Sequence, residues 1–456
     1  MSTSKSELAL LDSVVVGAGF AGLSAAERLR SSGRQFVVLE ARSRVGGRAF
    51  SGQRVGAGRP NELGALMVHG RLATTHGWAR RYGLTVRFLP VMQRSCIAHR
   101  RRVGRYPWFA LPFHPAVGTR AAVAGSRTIP RRLYRYRGAD RPLASLEDEW
   151  NVRGAARTLV ELLHAHVYGA DPETIGVRGP AEEDRVASEP YGYRNFQIVE
   201  GYSALASRAA DGLKDQLRLG REVTHVLRTE DGVRLRAKTT SGEEEYRART
   251  AVITVPLGVL KAGAIAFDPP LPEAKRQSIE RVAFGDAFAL SMRLRGGTMR
   301  SRLGDFSLLW GGTPSSFYRP YVGLSSSVEV LTAFTVGREA RRRAALSVDE
   351  IVAATLREWS EVVPDGVTVG TVEDQDVHLW TLDPFSRGGY SYLPPGASLS
   401  DRRELAQPVD GRLFFAGEAT HLSGESATVS GAIATGERAA NEVLAGLRPS
   451  SSTGGK

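Results

Sequence analysis

The sequence holds a single cysteine, Cys96. No internal disulfide framework can staple it, and a reducing, cytoplasmic setting is expected. Lysine is nearly absent: Lys5, Lys214, Lys238, Lys261, Lys275 and Lys456 are the six lysines among 61 basic residues, the rest being arginine. A net charge of +13 would by itself point to nucleic acid or an anionic surface. An arginine bias accompanied by much alanine, glycine and valine is instead what a GC-rich coding sequence yields, so no nucleic-acid partner is expected. No run of about 18 apolar residues marks a membrane span. The start, MSTSKSELALLDS, lacks the charged, apolar and small-residue regions of a leader. No metal site is expected either. The acidic runs Glu182–Asp184 and Glu243–Glu245 read as solvated loop or strand-end charges.

What the chain does have is length and glycine punctuation. Its 456 residues suffice for two or three domains with sizeable cores. Residues 13–16 (SVVV) read as a short buried strand, and Gly22–Arg30 as a helix with Leu23, Ala26 and Leu29 in an apolar stripe. Phe36–Leu39 reads as a second strand stopping at Glu40, which makes a βαβ half-unit and predicts a parallel sheet. Residues 216–255 alternate around Asp231-Gly232 and Ser241-Gly242 and predict an antiparallel meander. Segment 99–141, rich in Arg, Pro and aromatics, has no clean periodicity and reads as an arginine-decorated helical cap, with a receptor for an anionic or carrier-bound substrate as the other option. A helical stretch is expected at Val152–Tyr168, a strand at Leu413–Phe415, and a last helix from about Gly431 to Leu447.

Between the first strand and helix lies Gly17-Ala18-Gly19-Phe20-Ala21-Gly22. Gly17 permits the tight turn, Gly19 lets the backbone approach a pyrophosphate, and Gly22 lets helix pack on strand. The helix N-terminus then turns free N–H groups and a positive dipole end toward the phosphates. Glu40 follows at the distance where a carboxylate accepts both ribose hydroxyls, which favours FAD or NAD over NADP. Next comes Ala41-Arg42-Ser43-Arg44-Val45-Gly46-Gly47-Arg48, a second glycine turn whose arginines can fork onto phosphate oxygens.

LEARSRVGGR resembles the signature of the flavin-containing amine oxidase superfamily, which includes monoamine oxidases, polyamine oxidases, L-amino-acid oxidases and flavin-dependent histone demethylases. Further blocks are similar along nearly the whole chain: Glu62-Leu63-Gly64-Ala65 with Val68-His69-Gly70; Gly201-Tyr202 with Val223; Val255–Lys261 with Phe267–Pro272; Trp380, Asp383-Pro384-Phe385 and Gly389-Tyr390-Ser391-Tyr392; Phe414–Glu418; and Thr428–Ala432. The resemblance implies an α/β fold with an α+β substrate domain. Residues 1–90, 196–265 and 395–448 would form a Rossmann-like FAD-binding domain with a parallel sheet and an antiparallel meander. Residues 91–195 and 266–394 would form an interleaved substrate domain of mixed sheet and helices, with 449–456 a disordered tail.

It also implies site residues. Gly17, Gly19, Phe20, Ala21, Gly22, Glu40, Ala41, Arg42, Gly47, Arg48, Gly64, Ala65, Val223, Gly417, Glu418, Thr428 and Val429 would hold FAD. Tyr390, Trp380, Thr428 and His69 would face the substrate. The family activity is hydride transfer from a C–H beside nitrogen to flavin N5, giving an imine, with O2 as acceptor and H2O2 as by-product. The pocket must keep the amine unprotonated, which burial does, and the flavin carries the chemistry.

Three departures qualify this. Many members place a lysine, linked by water to flavin N5, where this chain has Ala289. The partner of the aromatic ring Tyr390 is Thr428, an opened cage that the histone-demethylase branch shares. The cysteine that attaches flavin in monoamine oxidases falls at Gly388 or Gly389, so FAD should be noncovalent. Leu66-Met67 stands where amino-acid oxidases often carry a carboxylate-clamping arginine. Glu425 and Asp376 are the acids available to a cationic substrate, and Tyr191, Tyr193 and Phe196 are further candidate lining residues. The expected function is oxidation of the C–N bond of a small or medium amine. A C–C desaturating dehydrogenase, an L-amino-acid oxidase and a flavin-bound scaffold protein remain open, and so does a homodimer.

Overall fold

The computed structural model describes residues 10–447 except 91–93, 100–101, 107–134, 154–156, 158–160, 162–163, 189–193, 300–305, 311–313, 323, 325 and 364–366. Most of segment 99–141, together with Tyr191, Tyr193 and the tail after Leu447, lies outside the described residues.

An eight-stranded sheet builds one half. Its parallel part runs Leu217–Leu219, Phe36–Glu40, Leu11–Val16 and the C-terminal end of Gly242–Ile253, with Leu413–Phe415 beyond. The continuous apolar run Val14-Val15-Val16 is buried on both faces, as a central parallel strand must be. The first helix, Phe20–Ser31, packs against the C-terminal helix, Val429–Gly446. They approach closely at Gly436, where a Cβ would stand 2.0 Å from the Ala21 carbonyl oxygen. Both cover one face of the sheet through Leu23, Ala26, Leu29, Ala439 and Val443.

The expected meander is present as Glu222–Thr229, Gly232–Thr239 and Gly242–Ile253, paired antiparallel with two-residue turns between them. The third strand is long enough to leave the meander and enter the parallel sheet, joining both parts into one. Ala266–Asp268, assigned by the sequence reading to the substrate side, pairs with Glu222–Thr229 in this sheet.

A seven-stranded, largely antiparallel sheet builds the other half, in the order Val372–Leu379, Ala287–Leu294, Glu329–Val336, Ser315–Tyr318, Leu308–Trp310, Ser95–His99 and Arg102–Tyr106. Strand alternation splits its faces. Phe288, Leu290, Met292, Leu331 and Ala333 pack on the helix Val348–Val362 through Ile351, Leu356 and Trp359. Ala287, Ala289, Phe334 and Trp380 face the other way and meet Leu63 from the first half. That second face is where the two halves bring their residues together.

Candidate active site

The first glycine turn is built as the sequence requires. Gly17 sits at φ +104°, and a Cβ on Gly22 would lie 1.9 Å from the Gly17 carbonyl oxygen, so neither position admits a side chain without displacement. Gly19 differs: its backbone is ordinary and no protein atom lies within 4 Å of where a Cβ would stand. That open ground at the helix N-terminus is the space a pyrophosphate needs, and a side chain would fill it. The second turn closes over the first. Gly46 N donates to the Ala18 carbonyl at 2.9 Å, and a Cβ on Gly47 would meet the Gly19 Cα at 3.4 Å. The Phe20 side chain points into the core, its ring 5.9 Å from Trp78 and 6.1 Å from Tyr202. Phe20 and Ala21 therefore offer backbone, not side chain, to a ligand.

Glu40 is buried at the end of its strand, where the Ala18 amide donates to Oε2 at 2.7 Å and the Arg42 amide to Oε1 at 2.9 Å. Burial pushes its carboxyl above the ordinary value despite these bonds. A carboxylate has about four acceptor sites, so each oxygen retains room for one more donor, such as a ribose hydroxyl. Val223 is buried on the adjoining meander strand.

The arginines are arranged differently from the forked phosphate clamp expected of them. Arg42 Nη2 donates to Asp383 Oδ1 at 2.8 Å and to Ser386 Oγ at 2.9 Å, tethering the loop after Trp380. Arg44 Nη1 caps the carbonyls of Val45 and Gly47. Arg48 Nη1 donates to the Gly389 carbonyl and to Glu418 Oε1, both at 2.8 Å. Much of their hydrogen-bonding capacity thus holds the two halves of the site together. Gly64 and Ala65 lie beside this turn, with Ala65 N on the Arg48 carbonyl at 3.3 Å.

Of the residues expected to face the substrate, Trp380 and Tyr390 share one apolar cluster. Trp380 is 2% exposed and donates from Nε1 to the Leu63 carbonyl at 2.6 Å. It shares an apolar cluster with Leu63, Ala289 and Phe334, against which Phe50, Leu66 and Tyr390 pack. The Tyr390 hydroxyl donates to the His166 carbonyl, and its ring lies against Gly169. Thr428 is the N-cap of the C-terminal helix: its Oγ1 accepts from Gly431 N at 3.0 Å and donates to the Glu425 carbonyl at 2.7 Å. Its hydroxyl is thus taken up by the cap, and Val429 begins the helix. Gly417, at the end of the strand Leu413–Phe415, anchors on the same helix through Thr435 Oγ1 at 3.0 Å.

Other candidates lie elsewhere. His69 belongs to a separate three-stranded sheet, where its Nδ1 is 2.7 Å from Asn195 Oδ1, and burial lowers its pKa despite that bond. Phe196 packs edge-on to His76 and Phe88 against the first-half core, so it is a packing residue. Asp376, by contrast, is half-buried on the strand Val372–Leu379 that leads into Trp380, next to Gly52, and burial raises its carboxyl.

Two features escaped the sequence reading. One is His378, whose Nε2 lies 2.9 Å from Asp383 Oδ2 and whose ring centroid is 3.8 Å from that of Trp380. Burial pushes the Asp383 carboxyl up, but hydrogen bonds from His378 and Arg42 leave it well below the usual range. The spacing His378-x-Trp380 on a strand was the available signal, since alternate residues share a face. The other is Glu183, expected among solvated charges. It is 7% exposed and accepts from Arg402 Nε at 2.6 Å.

The lone cysteine, Cys96, is buried in the helix-side core with Phe288 and Trp359, away from the Gly388-Gly389 position. It offers no thiolate for a covalent link, and FAD is held noncovalently. Among the described residues, no helix is long and apolar enough to cross a membrane.

The comparisons agree with this architecture. The flavin containing amine oxidoreductase family matches residues 20–444. The chain is 28% identical to amine oxidase [flavin-containing] B of Canis lupus familiaris, over 95% of this chain and 86% of that protein. It is also 28% identical to polyamine oxidase 2 of Arabidopsis thaliana, over 94% and 87% of the two chains. The structure of cyclohexylamine oxidase from Brevibacterium oxydans superposes with a TM-score of 0.78 at 22% identity, over 96% of this chain and 100% of that one. The chain therefore belongs to the flavin containing amine oxidoreductase family and is an FAD-dependent oxidoreductase of the amine oxidase type.

Proposed function

We propose that the chain oxidises the C–N bond of a small or medium amine, with O2 as acceptor, giving an imine and H2O2. The observation that carries this is the apolar wall of Trp380, Ala289, Leu63, Phe334 and Tyr390, joined to the second glycine turn through Arg48, which donates to the carbonyl of Gly389 and whose own carbonyl accepts from the Ala65 amide. When bound, FAD supplies the hydride acceptor. The residues around it bind, orient and exclude water. An apolar wall raises the cost of an ammonium ion and so favours the neutral amine, the form whose nitrogen can support loss of hydride. The ring of Tyr390, pinned by its hydroxyl on His166, gives the amine a face to lie against. Polyamine oxidase and cyclohexylamine oxidase among the similar proteins support an amine as the substrate class.

Within this reading, Gly17, Gly19, Gly22, Gly47 and the backbone at Phe20 and Ala21 take the pyrophosphate. Glu40, Ala41 and Val223 take the adenosine end, and Arg42 and Arg48 secure the turn. Gly64, Ala65, Gly417, Glu418, Thr428 and Val429 border the flavin, with Trp380, Tyr390 and Thr428 facing the substrate. His69 stays a candidate for the substrate side, with its Nδ1 held by Asn195 on the three-stranded sheet. The two large sheets support a division into an FAD-binding half and a substrate half.

The comparisons favour neither a C–C desaturase nor an L-amino-acid oxidase. The test is anaerobic, absorbance-monitored reduction of the purified yellow protein by a panel of amines, polyamines and amino acids, followed by admission of air. Bleaching by an amine, then peroxide together with aldehyde or ketone, is expected. Bleaching by a C–C substrate while every amine leaves the flavin oxidised would overturn the proposal.

A further inference from the structure

Behind the pocket lies a buried charge network centred on Glu418 and Arg402, which are 4% and 0% exposed. Glu418 accepts from Arg48 Nη1 at 2.8 Å, from Ser391 Oγ at 2.6 Å and from the Ala427 amide at 3.0 Å. Arg402 donates from Nη1 to Ser391 Oγ at 2.7 Å and to the Ala419 carbonyl at 3.1 Å, and from Nε to Glu183 Oε1 at 2.6 Å. The same Glu183 oxygen accepts from Ser426 Oγ at 2.8 Å. Burial pushes the Glu418 carboxyl up, but Arg48 and Arg402 outweigh it and hold the group ionised. Two arginines thus face two carboxylates, and no charge is left over.

What matters is where the network ends. Ser391 follows Tyr390, and the carbonyl of Gly389, just before Tyr390, is held by Arg48. Ala427, at φ +62°, precedes the helix cap Thr428, and Ser426 precedes Ala427. The residues on both sides of Tyr390, Gly389 by its carbonyl and Ser391 by its hydroxyl, and the two residues leading to Thr428 are therefore tied to one ionic cluster. Arg402 itself sits on the helix Leu399–Ala406, and Glu183 on the helix Arg178–Val186.

We propose that Arg402 is a positioning residue for amine oxidation, fixing the separation of Tyr390 and Thr428 across the pocket by holding Ser391 on one side and the Glu183–Ser426 pair on the other. This rests on the reading of Tyr390 and Thr428 as facing pocket walls. A planar guanidinium suits the task because Nε and Nη1 leave at fixed angles toward different acceptors, whereas a lysine ammonium on a flexible stem would not hold them in register. A network in a water-poor interior has few alternative geometries, so a lost member shifts the segments it held.

The test uses the FAD-loaded full chain carrying Arg402→Lys, Arg402→Met or Ser391→Ala. Ser391→Ala removes one hydroxyl and no charge, so it keeps the proposal testable if Arg402→Met fails to fold. Flavin visible circular dichroism reports the ring's surroundings without any substrate, and so separates failure of this idea from failure of the amine reading. Expected for Ser391→Ala and Arg402→Lys are retained FAD, an altered circular dichroism band and, with an amine that reduces the wild type, KM raised about tenfold with a smaller change in kcat. Variants that lose thermal stability while keeping the wild-type band and KM would show that the network only holds the fold together, and would overturn the proposal.

Discussion

Ala289 and His378 are cross-strand partners on adjacent antiparallel strands, and both side chains lie on the face that carries Trp380. Ala289 stands where the resemblance led us to expect a lysine. Here the apolar residue stands beside an imidazole whose Nε2 is bound to Asp383. A basic group is therefore present on the neighbouring strand, and it arrives already paired with a carboxylate. That pairing leads to a first prediction. Ala289→Lys should raise the rate at which reduced flavin reacts with O2 by about tenfold, the equivalent of ~1.4 kcal/mol of added electrostatic stabilisation. His378→Leu should lower it by a similar factor. Stopped-flow reoxidation against pH measures both, and identical rates in all three proteins would remove this pair from oxygen chemistry.

Gly19→Val separates cofactor binding from folding. Its Cβ meets no neighbouring segment and the backbone there is unstrained, so the apoprotein should lose only about 1 kcal/mol, the cost of valine at a helix N-cap. The purified variant should nonetheless be colourless, because valine occupies the ground left for pyrophosphate. Flavin content and apoprotein melting temperature, measured together, decide it; a yellow variant would refute the placement.

Tyr390 makes two separable contributions. Tyr390→Phe keeps the ring and loses the hydrogen bond to His166, at a cost of ~1 kcal/mol in stability. Tyr390→Ala removes the ring from the pocket wall. Anaerobic reduction by an amine should be near wild type in the first and at least about tenfold slower in the second, with FAD retained in both. Equal rates in the wild type and Tyr390→Ala would place the substrate elsewhere.

Glu62 gives the stability a pH dependence of known sign. It is buried, its oxygens accept from Tyr202 N and Ser51 Oγ, both at 2.9 Å, and burial pushes its carboxyl up to about 8. A raised acid binds its proton more tightly when folded. Its stabilising contribution is therefore complete below the unfolded value near 4.5 and is lost as pH rises toward 8. Glu62→Gln, neutral at every pH, should lack this decline. Between pH 5 and pH 8 the wild type should lose a few kcal/mol relative to the variant, on the order of 1.4 kcal/mol per pH unit across the titration. Parallel denaturation curves for the two proteins across this range would show that Glu62 stays ionised.

Local sequence dictates the strand–turn–helix around Gly17–Gly22, the meander and the terminal helix. Each depends on short-range rules: glycine where a Cβ would strike backbone, alternation on a half-buried strand, an apolar stripe down a helix. The same locality located the second glycine turn and the block around Trp380 and Tyr390. It could not say where long side chains spend their charge. Arg42, Arg48 and Glu418 looked like ligands of phosphate and ribityl groups, and the fold turns much of their capacity inward, to Asp383, Gly389 and Ser391. Glu183 looked like a solvated acid, and the packing of Leu399–Ala406 beside its helix buries it against Arg402, 219 residues away in sequence. Nor could it set His378 beside Ala289, because register between strands 89 residues apart belongs to the sheet and to neither segment alone. Hydrogen bonds and ion pairs between distant segments exist only once both have been packed, and those pairings, decided by the tertiary structure, give this pocket its shape.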